Sequence, residues 1–326
     1  IAIAAMLDYD NKFIKYFFYC IFICFVGLIL DGFYQYLTGE NILGWKASDR
    51  TSSFFGDELI LGSYLSRFWP IFFGLSMFIF KQKNKLFFLF LLIFILSEVL
   101  IFISGDRTAF FYINLSAIFV ILFSQKLVKL RLFILLSSIL LIIIITFINP
   151  IAKERVIDLT LNQMNLTDIK KREQEGIYIF SKEHTHHYIT AYRMFLDNRV
   201  IGVGVKNFRN FCGDKNYEVS IHSCSTHPHN TYIQILSEIG IIGFLFLVFS
   251  LVYFCKYILK HVLLRFNHKN YFTDFEICIL SGIAIYLWPF VPTGNIFNNW
   301  LNIMLIINIP FLIWSRKQNG FPLFIN

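Results

Sequence analysis

Charge is what this sequence has least of. Only 15% of its 326 residues are Asp, Glu, Lys or Arg, too few for the surface of an ordinary soluble domain of that length. The scarce polar residues also lack several familiar patterns. There is no H-E-x-x-H and no spaced set of Cys and His pairs of the kind that holds zinc, so no metal site is expected. Gly202 and Gly204 form a lone G-x-G without the spacing of a phosphate loop or a dinucleotide fingerprint, and read as a turn returning the chain to the membrane. No nucleic-acid motif accompanies the net charge of +8, so no nucleic-acid partner is expected. No basic stretch followed by an apolar run and a small-residue cleavage site opens the chain, so no signal peptide is visible. The first residue is Ile1 and not Met, which reads as a piece of a longer protein.

What is present is apolar. Hydrophobic residues make up 56% of the chain, 40 of them Phe, and the mean hydropathy is +0.61. The few charges separate runs of about 18–22 apolar residues, the length at which a helix crosses about 30 Å of hydrocarbon. Eight spans are expected: 13–31, 59–80, 86–104, 108–124, 132–149, 238–257, 276–291 and 299–315. Lys12 and Lys15 precede the first. Lys81, Lys83 and Lys85 follow the second, Lys126, Lys129 and Arg131 the fourth, Lys256, Lys260, Arg265 and Lys269 the sixth, and Arg316 and Lys317 the eighth. Every second short loop is thus basic, and the positive-inside rule puts those loops in the cytoplasm. Residues 32–58, the Gly105-Asp106-Arg107 turn, the long segment 150–237 and Thr293 to Asn298 then face outward. The expected organisation is a membrane bundle over 1–149, an outward-facing region over 150–237 and a second bundle over 238–326. Arg67 and Glu98 fall at similar depths on neighbouring antiparallel spans. An unpaired ion in hydrocarbon is costly, so the two are expected to face each other.

The outward region is read as amphipathic helical segments and turns. Its KKREQE run at 170–175 is either a solvated helix face or a contact for an anionic glycan or lipid phosphate. Six of the eight histidines lie there: His184, His186, His187, His222, His227 and His229. Of the six cysteines, Cys20, Cys24, Cys255 and Cys278 lie in spans as packing residues. Cys212 and Cys224 share the outward region, where two free thiols are favoured over a disulfide.

The most informative stretch is His227 to Gly243, HPHNTYIQILSEIGIIG. Pro228 suits the first turn of a helix. Asn230, Gln234 and Glu238 recur every fourth residue as one polar stripe, which in a membrane must face protein or water. His229 alone would read as a hydrogen-bonded interfacial histidine. Its setting, however, H-N, nine residues, G, two residues, G, resembles the signature of the O-antigen ligase and polymerase family. Ser104-Gly105-Asp106-Arg107-Thr108-Ala109 resembles the same family's arginine-bearing turn, and Arg193, followed by GVGVKNF at 202–208, resembles its outer loop. Arg50, in RTSSFFGDELILGSY, also lies in a family-like segment. Phe244 departs from the small or hydroxyl residue of some ligases.

The resemblance implies an all-α, polytopic, GT-C-like membrane helix bundle with a long outward helical loop, and further spans upstream. It implies a glycosyltransferase of the bacterial inner membrane whose site faces the periplasm or exterior. The donor would be a glycan on undecaprenyl diphosphate, and the acceptor a lipid A-core, a glycan or a protein, with no cofactor. His229, Arg107 and Arg193 would be catalytic; Arg50, Asn230, His227 and Gln234 would bind substrate. At an ordinary pKa near 6.5, His229 would take the acceptor proton while the arginines hold the diphosphate. Direct displacement implies inversion at the anomeric carbon. A glycolipid or polysaccharide transporter or flippase is the other class such a bundle fits, although no internal repeat is seen and the polar residues gather at the outward rim.

Overall fold

In lipid a backbone has no water to bond, so long apolar runs must satisfy their own N–H and C=O groups as helices. The computed structural model describes residues 2–10, 12–47, 50–80, 86–148 and 153–320, and they follow this rule. In chain order the helices are α1 Ala2–Tyr9, α2 Phe13–Thr38, α3 Leu61–Ile79, α4 Leu86–Ile103, α5 Arg107–Phe123, α6 Val128–Ile148, α7 Leu159–Gln163, α8 Ile169–Glu175, α9 Lys182–Asp197, α10 Phe208–Phe211, α11 Thr231–Phe266, α12 Asp274–Leu287, α13 Asn299–Ile306 and α14 Asn308–Gln318. Among the described residues no strand occurs beyond one bridge between Glu40 and Lys46. The fold is the expected all-α membrane bundle. Helices α2, α6 and α11 are long and apolar enough to cross a bilayer, and side chains such as Leu37, Leu140 and Phe246 stand exposed on them, as lipid-facing residues do. Lys81, Lys83 and Lys85 lie outside the described residues.

Two compact units divide the chain. One comprises 1–156, 272–286 and 304–326, the other 157–271 and 287–303. In the first, α3 packs on α2, α4 and α5, and α4 packs on α6. Its centre is aromatic: the Phe25 and Phe72 rings lie 4.6 Å apart and Trp69 stacks on Phe73 at 4.8 Å. Helices in lipid associate by close packing and not by escape from water, and Gly62 shows how close. A Cβ there would lie 3.1 Å from the Cβ of Ala109 on α5.

The charges inside this unit pair differently from the expectation. Glu98 meets Arg131 at 2.6 Å and accepts the Ser138 hydroxyl at 2.6 Å. The Arg131 guanidinium also lies 4.2 Å from the centre of the Trp69 ring. Arg67 instead contacts Ser63, at 2.6 Å, and the rings of Tyr112 and Tyr286. Arg131 is therefore no cytoplasmic loop charge: α6 begins at Val128, and Arg131, Ile134 and Ser138 form its buried face. Depth counting missed this because it compares sequence-adjacent spans, whereas α4 also packs on α6.

The seventh expected span is also corrected. Helix α12 ends at Leu287 and so rises only about 21 Å, whereas α13 and α14 follow one another through Ile307, whose backbone is itself helical at φ −61° and ψ −26°. Pro289 and Pro292 follow α12 in the sequence, where they cannot continue a helix. The irregular backbone after Leu287 supplies carbonyls and amides to the second unit, as described next.

Candidate active site

In the second unit, α9 begins at Ser181, whose hydroxyl accepts from the His184 backbone N–H at 3.2 Å. From there His184, His187, Ala191 and Met194 recur at three- and four-residue steps along one helix face. Ala191 and Met194 are buried with Phe208 and Cys212, which seats α9 and points its histidines toward the turn that carries His227 and His229. Four imidazoles converge there. The His229 ring lies 4.0 Å from that of His227, 5.2 Å from His184 and 5.4 Å from His187.

His229 adopts a left-handed backbone, with φ of 60°, unusual for a residue with a side chain. Two contacts hold it: its carbonyl accepts from the Thr293 N–H at 2.7 Å and its Nε2 lies 2.9 Å from the Ser225 hydroxyl. The His227 Nε2–H donates to the Thr293 carbonyl at 3.1 Å, which leaves Nδ1 to accept from the Thr226 hydroxyl at 2.9 Å. His187 bonds the Cys224 carbonyl, and its Nδ1 is buried without a hydrogen-bond partner.

Burial drives these rings toward the neutral form. It pushes His229 down to about 3, helped by the neighbouring His227, His184 and His187. His227 falls to about 4, mainly through burial, against the opposing Thr293 bond. His187 is lowered for the same first cause. The expectation of an ordinary histidine at 229 is corrected: its lone pair is available at neutral pH, but burial keeps its basicity low.

The helix after His229 explains the spacing of the motif. Pro228 lies before the helix and not in its first turn, because α11 starts at Thr231. Asn230 is the cap: its Oδ1 accepts from the N–H of Tyr232 at 3.0 Å and of Ile233 at 3.1 Å, while its Nδ2 donates to the Pro289 carbonyl at 2.8 Å. Gln234, fully buried, donates to Glu238 at 3.1 Å and to Asn295 at 2.8 Å, and accepts from the Ile296 N–H. Glu238 accepts from the N–H groups of Lys206 and Phe208 at 3.1 and 2.9 Å, so it fixes the GVGVKNF turn. Gly240 then bends the helix with φ 75° and ψ −163°, a region essentially reserved for glycine. A Cβ there would collide with the Val200 carbonyl and come within 2.7 Å of the Gly202 nitrogen. The glycine turn thus docks on α11 by backbone, through Val203 N–H to Ser237 O and Gly204 N–H to Glu238 O at 2.9 and 3.0 Å.

The three candidate arginines lie on separate elements. Arg193 is exposed on α9 and donates to the Glu218 carbonyl at 2.8 Å. Arg107 opens α5 in the first unit, after Asp106, whose carboxylate accepts the Ala109 N–H at 3.0 Å. Arg50, also in the first unit, braces that turn: it donates to Ser104 O at 3.2 Å and Leu59 O at 2.9 Å, and lies 3.7 Å from Asp106. The segment that follows Arg50 is held by Asp31 and Gln35 of α2, which accept from the Ser53 hydroxyl at 2.6 Å and the Ser53 N–H at 2.7 Å. Asn230, His227 and Gln234 all have protein partners for their polar groups.

The sequence reading overlooked His184, His187, Ser225 and Thr293 as site residues. The three-residue step within His184-Thr185-His186-His187 was the available signal, since it places two imidazoles on one helix face. Cys212 and Cys224 are joined as a disulfide, against the free thiols favoured above. The bond ties the buried core at Cys212 to the strand of chain that leads through Ser225 to His229. A D-x-D string, the spacing of metal-dependent nucleotide-sugar enzymes, occurs at Asp8-Tyr9-Asp10. Asp8 pairs with Lys317 at 2.8 Å, and Asp10 accepts from the Lys12 N–H at 2.8 Å. Among the described residues no three His, Cys, Asp or Glu are arranged to hold a metal ion.

A family model described as O-antigen ligase matches residues 88–248, which takes in both the Arg107 turn and the whole His229 motif. No curated protein matches the chain.

Proposed function

Starting from a helical membrane protein of the O-antigen ligase and polymerase family, we propose that it transfers a glycan from a polyprenyl diphosphate to an acceptor hydroxyl, without a metal and with inversion. The observation that carries this reading is His229 itself, a neutral imidazole held in a left-handed turn at the head of α11 and ringed by three others.

In the reaction the acceptor oxygen attacks the anomeric carbon and its proton passes to His229. The bond from that carbon to the diphosphate oxygen breaks, and the electron pair leaves with the diphosphate. Such a leaving group needs charge stabilisation more than a general acid. Arg107 and Arg193 have the forked donors for it. A basicity as low as that of the buried His229 makes a poor proton acceptor, but a diphosphate brought close raises it by favouring the imidazolium. The base is then strong only when the donor is bound, so proton transfer is tied to the presence of the leaving group. Arg50 supports the reaction by holding the turn that carries Arg107. The site lies on the side of the membrane away from the basic loops, and the acceptor is a lipid A-core, a glycan or a protein.

The test uses purified protein, lipid-linked donor and acceptor. His229→Ala removes the base and is expected to abolish transfer while the protein still retains donor. Near-normal product from that variant would take His229 out of the mechanism.

A further inference from the structure

Away from the imidazoles, the second unit contains a cleft of about 300 Å³. Its walls come from three short segments: Asn162 and Gln163 at the end of α7, Lys171 on α8, and Ser181, Lys182 and Glu183 where α9 begins. Hydrogen bonds from Asn165 Nδ2 to Gly176 O at 3.1 Å and from Tyr178 N–H to Met164 O at 3.3 Å tie these segments together. Every lining residue is polar, whereas a pocket for an apolar ligand is walled mainly by hydrophobic and aromatic side chains. Amides, a hydroxyl and charged groups on three sides match a ligand whose surface is covered in hydroxyls. Two lysines against one glutamate leave the cleft with one excess positive charge.

The cleft also adjoins the histidines. Ser181, buried in its wall, lies 2.9 Å from His184 Nδ1 through its hydroxyl, and the His184 ring is 5.2 Å from that of His229. A ligand resting on Ser181 is thus separated from His229 by a single imidazole.

We propose that this cleft is a glycan subsite that holds an acidic sugar residue, its carboxylate or phosphate held by Lys171 and Lys182 and its hydroxyls by the amides. The proposal rests on the glycosyl-transfer reading above. It turns the KKREQE run from a merely solvated face into a recognition element through Lys171. The same chemistry serves a sugar of the donor or of the acceptor.

The test is titration of the purified full chain, in micelles at 150 mM salt, with a hexamer of galacturonic acid and with maltohexaose, a neutral hexamer of equal length. The acidic hexamer is expected to bind at least about fivefold tighter, a factor in keeping with one or two partly exposed charge contacts. Lys171→Gln with Lys182→Gln should remove that preference. Asn162→Asp, which adds a carboxylate to the same wall, should weaken the acidic hexamer alone. His229→Ala should leave both affinities unchanged. Equal binding of the two hexamers by the wild-type protein, or an unchanged preference in both the lysine and the Asn162 variants, overturns the subsite. An acid preference in a protein that transfers no glycan overturns the catalytic reading and leaves the subsite standing. In transfer assays the lysine variant should raise KM for one substrate with kcat unchanged: a rise for the donor assigns the sugar to the donor, and a rise for the acceptor assigns it there. No rise for either overturns the subsite's part in transfer.

Discussion

The rings of His227 and His229 lie 4.0 Å apart, closer than any other pair in the imidazole cluster. A proton on either is opposed by burial and by its neighbours, so both titrate far below the ordinary value of 6.5, at about 4 and about 3. Between those values and 6.5 the unfolded chain binds more protons than the folded one, so stability rises with pH across that window and is lost as pH falls through it. Lowering the pH from 7 to 5 is expected to destabilise the second unit by roughly 2 kcal/mol per group. Thermal melts at pH 5, 6 and 7 would show this, and His229→Gln should flatten the dependence. In the same range kcat/KM, which reports the free enzyme, should show no limb near 6.5; such a limb would contradict the buried neutral cluster.

Glu98 and Arg131 are the second case in which two residues stand or fall together. Glu98→Gln leaves a guanidinium buried without its countercharge, which costs about 3–5 kcal/mol. Folded yield and melting temperature should fall sharply, while specific activity per folded molecule changes little. Glu98→Leu with Arg131→Met removes both charges and should recover most of the loss. An undisturbed melting temperature for Glu98→Gln alone would mean that the pair contributes nothing.

The two glycines of the motif should behave differently. Gly240→Ala forces a side chain into a backbone region essentially closed to it and against the Val200 carbonyl, so a loss of at least about 1–3 kcal/mol is expected. Gly243→Ala would bring its Cβ within 2.8 Å of the Ile239 Cβ, which no side-chain rotation moves, so it should also lower the melting temperature, but by less than Gly240→Ala, which meets backbone and a closed backbone region as well. Comparable melting temperatures for the two variants would argue against the bend.

Among the arginines, Arg107→Lys is expected to lower transfer at least about tenfold with the fold intact, because an ammonium lacks the guanidinium fork. Arg50→Lys should act through the turn: it loses the paired bonds to Ser104 and Leu59, and the melting temperature should drop along with activity. If Arg107→Lys keeps full rate, a headgroup anchor is the better account of that residue.

The all-α membrane fold was legible because apolar run length alone demands it, and the interval from His229-Asn230 to Gly240 and Gly243 was legible as a pattern. Its cause was not. That Gly240 admits the 202–204 turn depends on backbone contacts between segments about forty residues apart, which no local period records. His184 and His187 were hidden for a similar reason: a helix face says which residues are neighbours, not what they will meet. Arg131 was misplaced because charge counting treats a basic residue near a span end as solvated, and only the packing of α6 on α4 shows it buried.

The Cys212–Cys224 bond gives the protein an order of assembly. Helices form within about a microsecond, whereas a disulfide needs seconds to hours and an oxidant that a reducing cytosol does not maintain. The ring it closes spans a sequence separation of 12, enough to contribute about 3 kcal/mol by restricting the unfolded chain. Until it closes, the carbonyl that receives His187 and the hydroxyl that meets His229 are on a segment tethered at one end fewer. The histidine cluster therefore gains this tether only on a side of the membrane that supplies an oxidant.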